Sequence, residues 1–317
     1  MTRHRQSGGQ AYVVTVLFLV VLLGAAAAVI DVASWYRSQR ALQATVDAAA
    51  LAGAQELPYD TTMARSVAVQ YAGKNGGGVA SGDVTFSTKI VASDTINVTG
   101  SRLAQGFFAK VFGVKTVTVH AHASARAANL SAPYGVAPVT VHYKHPFLNC
   151  SGGGANLSCN PTFDKSTTID LEDIHKAGSG NGAAAFGLIN LDQSDSNGTA
   201  DADTVAGWLA DGYDQPMELG KYYSVPSAEF NNSQFISAMQ SMLGKELLFP
   251  VYRLLTGPGA NATYDIVGWV GFVPTSFAPN GTPGTITGSF TRVIAHGIQV
   301  QSGGKASFGV RSVELTK

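Results

Sequence analysis

The sequence predicts an α+β protein: an N-terminal transmembrane helix that continues into an extended helix, then a small α+β module and a β-rich α+β domain. Three observations support this fold class. Residues 11–30 are apolar and uncharged, the chain after them keeps a helical pattern up to Pro58, and its second half alternates short apolar runs with Gly, Pro and Asn turns. The predicted divisions are residues 1–10, 11–30, 31–129 and 130–317.

The first element is long enough to cross a bilayer. Residues 11–30 at about 1.5 Å per residue span about 30 Å, which is the thickness of the hydrocarbon core. A secretory signal is the alternative, because Arg3 and Arg5 form a basic start and "GAAAAV" offers small residues for cleavage. In the retained anchor, Gly24 and Ala28 are predicted to let a partner membrane helix approach closely.

The residues after the apolar run decide between these two interpretations. Apolar or small residues recur there at spacings of three and four, with one polar exception. This seam consists of Val32, Trp35, Gln39, Leu42, Val46, Ala49 and Gly53. A discarded signal gives no reason for such a continuation, so we predict one long helix that is retained. The seam is expected to pack on the chain's own globular part, and self-association through the helix stays open as an alternative.

The two cysteines indicate an oxidising compartment. Cys150 and Cys159 flank a loop of glycine and small residues that is easily closed, so a disulfide is predicted. Free thiols or half of a metal site are the alternatives, but no second pair at zinc spacing accompanies them. Because basic residues flank both ends of the span, charge alone leaves the orientation nearly tied. The cysteines and a charged fraction of 13% favour a cytoplasmic N-terminus and an extracytoplasmic bulk.

The composition argues against several function classes. The net charge is zero and the basic residues are scattered, which excludes a nucleic-acid-binding block. The sequence shows no nucleophile elbow, phosphate loop or recognisable triad, so we predict no enzymatic activity and no cofactor.

An acidic loop is the best metal candidate. Its carboxylates and amide could offer oxygen ligands to calcium. The candidates are Asp192, Asp195, Asn197, Asp201 and Asp203. Aligning Gly198 with the invariant glycine of an EF-hand puts Gln193 and Thr204 at the end ligand positions, so the pattern fails. A polar loop that ends in a helix N-cap is the favoured interpretation.

Two histidine pairs are weaker candidates. His120 and His122 lie two apart on a predicted strand and so face the same side, but no third ligand is identifiable. His142 and His145 flank a proline-containing bend. Ordinary exposed or hydrogen-bonded histidines are the favoured interpretation for both pairs.

The module after Pro58 is predicted to contain a helix from Thr61 to Gly76 and two strands joined near Ser93. "LAQGFFAKVFG" is expected to form a short amphipathic helix, and "KTVTVHAHASARA" a strand. In the second domain, "AAFGLINLD" is a candidate buried strand, and "ADADTVAGWLADGY" and "NSQFISAMQSMLG" are helices. Three later runs, beginning at Lys245, Asn261 and Gly284, predict an antiparallel meander.

The N-terminal stretch resembles a known family. The basic start, the Gly9-Gln10 entry to the apolar run, Asp31 at its end, and "LQ" followed by "DAAALAGA" are similar to the N-terminal module of the tight-adherence (Tad) pilus-assembly proteins of the TadE/TadG type. True prepilins carry a glutamate where this chain has Val14. The resemblance therefore does not extend to processing by a prepilin peptidase or to polymerisation as a major pilin.

The resemblance implies a membrane-anchored, non-enzymatic component of Tad (Flp-type) pilus assembly, with the membrane and other pilus-assembly or pilin subunits as partners. The alternative from another class is a surface adhesin or ligand-binding protein, for which the acidic loop is the best feature. A membrane-tethered hydrolase ranks below both.

Overall fold

The computed structural model describes residues 8–152, 157–170, 187–192, 200–225, 232–257, 261–279, 284–299 and 308–316. The fold is α+β, as predicted, with a long apolar N-terminal helix followed by β-rich structure. The chain divides into two compact units: residues 1–127 with 313–317, and residues 128–312.

The first unit combines two helices with a small sheet. Its elements are α1 (Gly8–Ala54), α2 (Thr61–Lys74), β1 (Val84–Ser87), β2 (Thr95–Gln105), the part of β3 (Thr116–Pro133) up to residue 127, and the end of β14 (Val310–Thr316). Strands β1, β2 and β3 pair antiparallel in that order. The last residues of β14 lie beside β3, where Arg126 Nη2 stands 3.2 Å from Glu314 Oε1.

Local signals explain the limits of α2. The Asp60 side chain accepts a hydrogen bond from the Met63 backbone N–H at 2.8 Å, which satisfies a free donor of the first turn. The helix ends at Lys74, and Gly76 adopts the left-handed conformation. Ala64, Ala68 and Ala72 repeat every fourth residue and form its buried face.

The core of the first unit is built mainly from alanine. Alternate residues of β2 and β3 point inward, and small side chains let both helices approach the sheet closely. The buried alanines of this core are Ala49, Ala50, Ala54, Ala64, Ala68, Ala72, Ala104, Ala121, Ala123, Ala125 and Ala127. Larger residues are fewer, with Leu42, Val46, Ile96 and Val98 among them.

The second unit is centred on a six-stranded sheet of order β4-β9-β10-β11-β7, with β8 also paired to β10. Its elements are β4 (Val141–His142), β5 (Cys150–Ser151), β6 (Ser158–Cys159), β7 (Ser166–Asp170), α3 (Ala202–Asp211), β8 (Gly220–Tyr223), α4 (Ser233–Ser241), β9 (Leu247–Thr256), β10 (Thr263–Ala278), β11 (Thr285–Thr291), β12 (Val293–Ile294) and β13 (Gly297–Gln299). The predicted antiparallel meander is β9-β10-β11.

The core of the second unit contains large aromatic side chains among its aliphatic residues. Phe272 lies between two other rings, with centroids 5.4 Å from Phe249 and 5.3 Å from Phe290. Neighbouring β10 residues alternate between two clusters, Trp269 in one and Val270 in the other, so the sheet is covered on both faces. Helices α3 and α4 belong to the same cluster as Val270.

Two predicted elements differ from the structure. "LAQGFFAKVFG" is not an amphipathic helix: β2 continues to Gln105, where it pairs with Thr116, and only Ala109–Phe112 forms a 3-10 turn. The described part of "AAFGLINLD" contributes isolated bridges at Leu188 and Ile189 rather than a strand. In the first case, cross-strand pairing with β3 overrides the helical pattern of the segment.

Candidate membrane anchor and its contacts

Helix α1 carries an exposed apolar surface over its first half. Among the residues that the structure describes, α1 is one helix that is long and apolar enough to cross a membrane. The large side chains of this stretch, from Tyr12 to Ile30, lie on the outside. An apolar surface of this length is costly in water, which is why it is a candidate for burial in lipid.

Asp31 ends the apolar surface and is itself buried, with 3% of its surface exposed. Its carboxylate accepts hydrogen bonds from three successive backbone N–H groups: Phe107 at 2.6 Å, Phe108 at 3.1 and 3.2 Å, and Ala109 at 2.5 Å. These amides begin the Ala109–Phe112 turn. The charge is thereby compensated by backbone dipoles, as a buried carboxylate requires.

A second contact lies one helical turn further along α1. The indole N–H of Trp35 donates to the backbone oxygen of Gln105 at 3.2 Å. A Cβ added at Gly106 would come within 3.6 Å of the Trp35 ring, so the chain passes close to the helix at this point. Together, Asp31 and Trp35 fix the loop between β2 and β3 against the helix.

Strand β2 follows the helix in the opposite direction. A Cβ at Gly53 would meet Ile96 Cδ1 at 2.6 Å, and a Cβ at Gly100 would meet Val46 Cγ1 at 2.7 Å. With the contacts of Trp35 and Asp31, the order along β2 is the reverse of the order along α1. The second half of α1, after Asp31, therefore packs in the first unit and also continues the apolar helix.

The seam residues divide along the helix. Leu42, Val46, Ala49 and Gly53 are buried in the first unit, and Trp35 is partly covered. Val32 and Gln39 are exposed and join no buried cluster among the described residues, so packing at Val32 stays a prediction that concerns a partner. At the membrane end of the seam it is Asp31, the neighbour of Val32, that faces the protein.

The small residues inside the span lie on an open surface. A Cβ at Gly24 would meet no atom within 4 Å, and Ala28 is exposed. Their predicted contact with a partner helix is neither made nor blocked within this chain.

The predicted disulfide is present. Cys150 and Cys159 are bonded, with their Cα atoms 4.0 Å apart, and they face each other across the β5–β6 pair. The bond closes the loop that the cysteine spacing indicates.

The acidic loop is only partly described. Asp195 and Asn197 lie outside the described residues, and Asp192 is exposed. Asp201 is the N-cap of α3 and accepts from the Thr204 backbone N–H at 2.9 Å, while Asp203 lies in the first turn of that helix. Hydrogen bonds from Thr204 lower the pKa of Asp201. No cluster of three His, Cys, Asp or Glu side chains suited to a metal ion occurs among the described residues.

The histidines occupy separate places. His120 and His122 are both exposed on the outer side of β3. Burial lowers the pKa of His142, whose ring lies 4.9 Å from that of Tyr252. The ring of His145 accepts from the Phe147 backbone N–H at 3.2 Å and so caps a short turn.

The amide contact of Asp31 is not visible in the sequence, where this residue marks only the end of the apolar run. A carboxylate beside a membrane segment needs a nearby group that compensates its charge. The backbone N–H groups of the "GFF" segment supply this compensation, and the need for it is the one signal in the sequence.

Comparison with known protein families supports the resemblance of the N-terminal stretch. The family model Tad, described as "Putative Flp pilus-assembly TadE/G-like", matches residues 9–56. The match covers α1 and the two residues after it, which is the element that carries the apolar surface and the seam. It supports a role in pilus assembly. No curated protein and no solved structure matches the chain.

Proposed function

We propose that this protein is a non-enzymatic, membrane-anchored component of Tad/Flp pilus assembly that acts as a structural or scaffolding subunit. The observation that carries the proposal is the character of α1. The same helix is apolar and exposed up to Ile30 and buried in a folded unit from Leu42 onward. A helix of this kind couples a bilayer to an outer module without a flexible linker.

In this proposal the N-terminus lies in the cytoplasm, residues 11–30 cross the cell membrane, and the rest of the first unit and the second unit lie outside it. The disulfide supports this orientation, because such bonds persist in oxidising compartments and are rare in the cytosol. Protease added to intact spheroplasts is expected to digest the part of the chain after Asp31 and to leave a membrane-protected N-terminal fragment. Digestion only after the cells are opened would contradict the orientation.

The proposed partners are other pilus-assembly or pilin subunits that contact α1 within the bilayer. Gly24 and Ala28 lie within one turn of each other on an open face, and small residues favour close helix packing in lipid. We expect the double variant Gly24→Ile/Ala28→Ile to lose co-purification of these subunits from membranes.

Ala26→Ile is the matched control, because Ala26 lies about 200° round the helix from Gly24. It adds one isoleucine side chain on the other side and is expected to leave recovery of partners unchanged. Equal recovery with the double variant and the control would contradict the packing proposal. Equal loss with both would indicate that bulk anywhere in the span disrupts the helix.

A further inference from the structure

The loop between β2 and β3 exposes an unusual concentration of large apolar side chains. We call it the tip patch, and it consists of Leu103 near the end of β2 and of Phe107, Phe108, Val111, Phe112 and Val114 in the loop. Val111 is 82% and Phe112 83% exposed, more than any large apolar side chain described in the membrane segment of α1. A monomeric soluble surface rarely leaves such a patch uncovered.

The level of the tip patch along α1 is fixed by contacts. Strand β2 meets α1 at Gly53 through Ile96, and the loop meets it at Asp31 through the Phe107 amide. From Asp31 to Gly53 the helix covers roughly 35 Å at about 1.5 Å per residue. From Ile96 to Phe107 the extended chain covers about the same distance at about 3.3 Å per residue. The hairpin therefore runs alongside the helix down to the residue at which the apolar span ends.

The turn is held at that residue, because the Asp31 carboxylate accepts hydrogen bonds from the Phe107, Phe108 and Ala109 backbone N–H groups. The most exposed residues, Val111 and Phe112, follow the amides that Asp31 holds. They are thus attached at the boundary between the apolar span and the outer module.

The polar groups of the loop suit the headgroup layer. Lys110 and Lys115 are exposed on either side of Val111–Val114 and carry positive charge on long flexible stems. Such side chains place their ammonium groups among lipid phosphates while their stems lie against apolar surface. The carboxylate of Asp31 contacts the loop, and its charge is compensated by backbone N–H groups.

From this juxtaposition we propose that the tip patch inserts into the outer leaflet of the membrane that α1 spans, as a second attachment beside the helix. The occupant of the patch is lipid at the boundary between headgroups and acyl chains. Two attachments restrict the tilt and rotation of the first unit relative to the bilayer, which one helix alone would leave free. The proposal rests on the membrane anchor of the proposed function but not on pilus assembly.

Labelled single cysteines in the full chain test this proposal. Both native cysteines are joined in the disulfide, so an environment-sensitive fluorophore attaches only to an introduced thiol. Three separate variants are reconstituted sparsely into phosphatidylcholine vesicles containing phosphatidylglycerol: Phe112→Cys in the tip patch, Leu22→Cys in the span, and Thr85→Cys on β1. Thr85 is exposed and pairs with Asn97, at the end of β2 far from the tip.

Quenching by brominated lipids reports which label lies in the bilayer. We expect the Phe112 label to be quenched by bromine near the top of the acyl chain, at a depth of roughly 5–10 Å. The Leu22 label should be quenched most by deep bromine, and the Thr85 label not at all. A Phe112 label that behaves like the Thr85 label while Leu22 is quenched would overturn the insertion and leave the anchor intact.

The remaining outcomes are also informative. A Phe112 label shielded from an aqueous quencher but not reached by bromine would mean a protein contact, which overturns the lipid proposal. A Leu22 label accessible to water would overturn the anchor and the insertion together.

A second variant guards against an effect of the label itself. With the label moved to the exposed residue Thr116, the change Val111→Ser/Phe112→Ser should reduce its quenching by at least about twofold, because the apolar side chains that enter the bilayer are lost. Both substituted side chains are largely exposed, so the fold is expected to persist. Unchanged quenching at Thr116 would contradict insertion through these two residues.

Discussion

The two compact units fill their interiors in opposite ways. The first unit packs alanine and glycine between helices and a sheet, whereas the second packs rings of phenylalanine, tyrosine and tryptophan on both faces of its sheet. Small residues permit close approach of backbones but bury little apolar area per residue. Large residues bury more apolar area but keep the backbones further apart. The first unit packs against one side of α1 from Asp31 to Ala54, and small residues allow this close approach.

The comparison predicts different weak points for the two units. The first should be most sensitive to added volume and the second to lost volume. Hydrogen exchange measured on the full chain in detergent resolves the two units separately, because amide protection follows local stability. Four variants test these weak points, with expected effects that decrease from Phe272→Ala to Asp94→Asn.

Loss of a central ring should destabilise the second unit most. Phe272→Ala removes a fully buried side chain between Phe249 and Phe290 and is expected to lower the free energy of unfolding by about 3–5 kcal/mol. Leu254→Ala, at an exposed side chain of β9 in the same unit, is the control and should change it by less than about 0.5 kcal/mol. Similar effects of the two changes would show that the aromatic cluster is not the stabilising core.

Removal of the disulfide is expected to weaken the second unit alone. In the double variant Cys150→Ser/Cys159→Ser the unfolded chain regains freedom, which lowers the free energy of unfolding by about 2.5 kcal/mol on the chain-entropy model. Hydrogen exchange in the first unit should stay as it is. A reducing agent should bring the native protein to the variant's stability and leave the variant itself unaffected; no response of the native protein would contradict the expected contribution.

Added volume is expected to harm the first unit at Gly53. A Cβ there would stand 2.8 Å from the Ala64 backbone oxygen, so Gly53→Ala should cost about 1–3 kcal/mol. The matched control is Gly73→Ala in α2, where a Cβ meets nothing within 4 Å and the change should stabilise by up to about 1 kcal/mol. Stabilisation by both changes would refute close packing at Gly53.

The smallest effect is expected at Asp94, a hydrogen-bonded carboxylate of the first unit. Burial of Asp94 acts to raise its pKa, but hydrogen bonds from the backbone N–H groups of Val91, Lys89 and Ile90 and from the Thr95 hydroxyl outweigh it, and the pKa lies below the ordinary value of 3.8. A carboxyl with a lowered folded-state pKa stabilises the protein above its unfolded pKa, and this stabilisation is lost as the pH falls through the folded value.

Asp94→Asn is therefore expected to cost about 1–2 kcal/mol at neutral pH and to remove this acid-dependent loss from the first unit. Asp60→Asn serves as the control, because asparagine caps a helix as well as aspartate does. The free energy of unfolding, measured from neutral pH to a pH below the ordinary aspartate pKa of 3.8, distinguishes the two variants. An unchanged acid dependence in Asp94→Asn would contradict the role of this carboxyl.

Much of the architecture could be predicted from local sequence signals. The caps of α2 and α3, the left-handed glycine after α2, the disulfide and the β9-β10-β11 meander follow from residue types and spacings within short segments. The candidate site was predictable only in part, since the end of the span at Asp31 is visible in the sequence but the partner of its carboxylate is not. That partner lies 76 residues away along the chain.

The failures share the same physical origin. The helical pattern of "LAQGFFAKVFG" is real as a pattern, but pairing of Leu103 with Thr118 extends the strand and converts the rest into a tight turn. The return of residues 313–317 to the first unit carries no local signal, because it depends on pairing far along the chain.

We propose that α1 stays intact, as a membrane helix that continues into a folded unit. N-terminal sequencing and intact mass of the protein recovered from membranes after washing with high salt test this proposal. We expect residues 11–30 to be still attached and the protein to stay with the membrane. A mature chain beginning near Val29, released by salt, would contradict it and favour a secreted adhesin or ligand-binding protein.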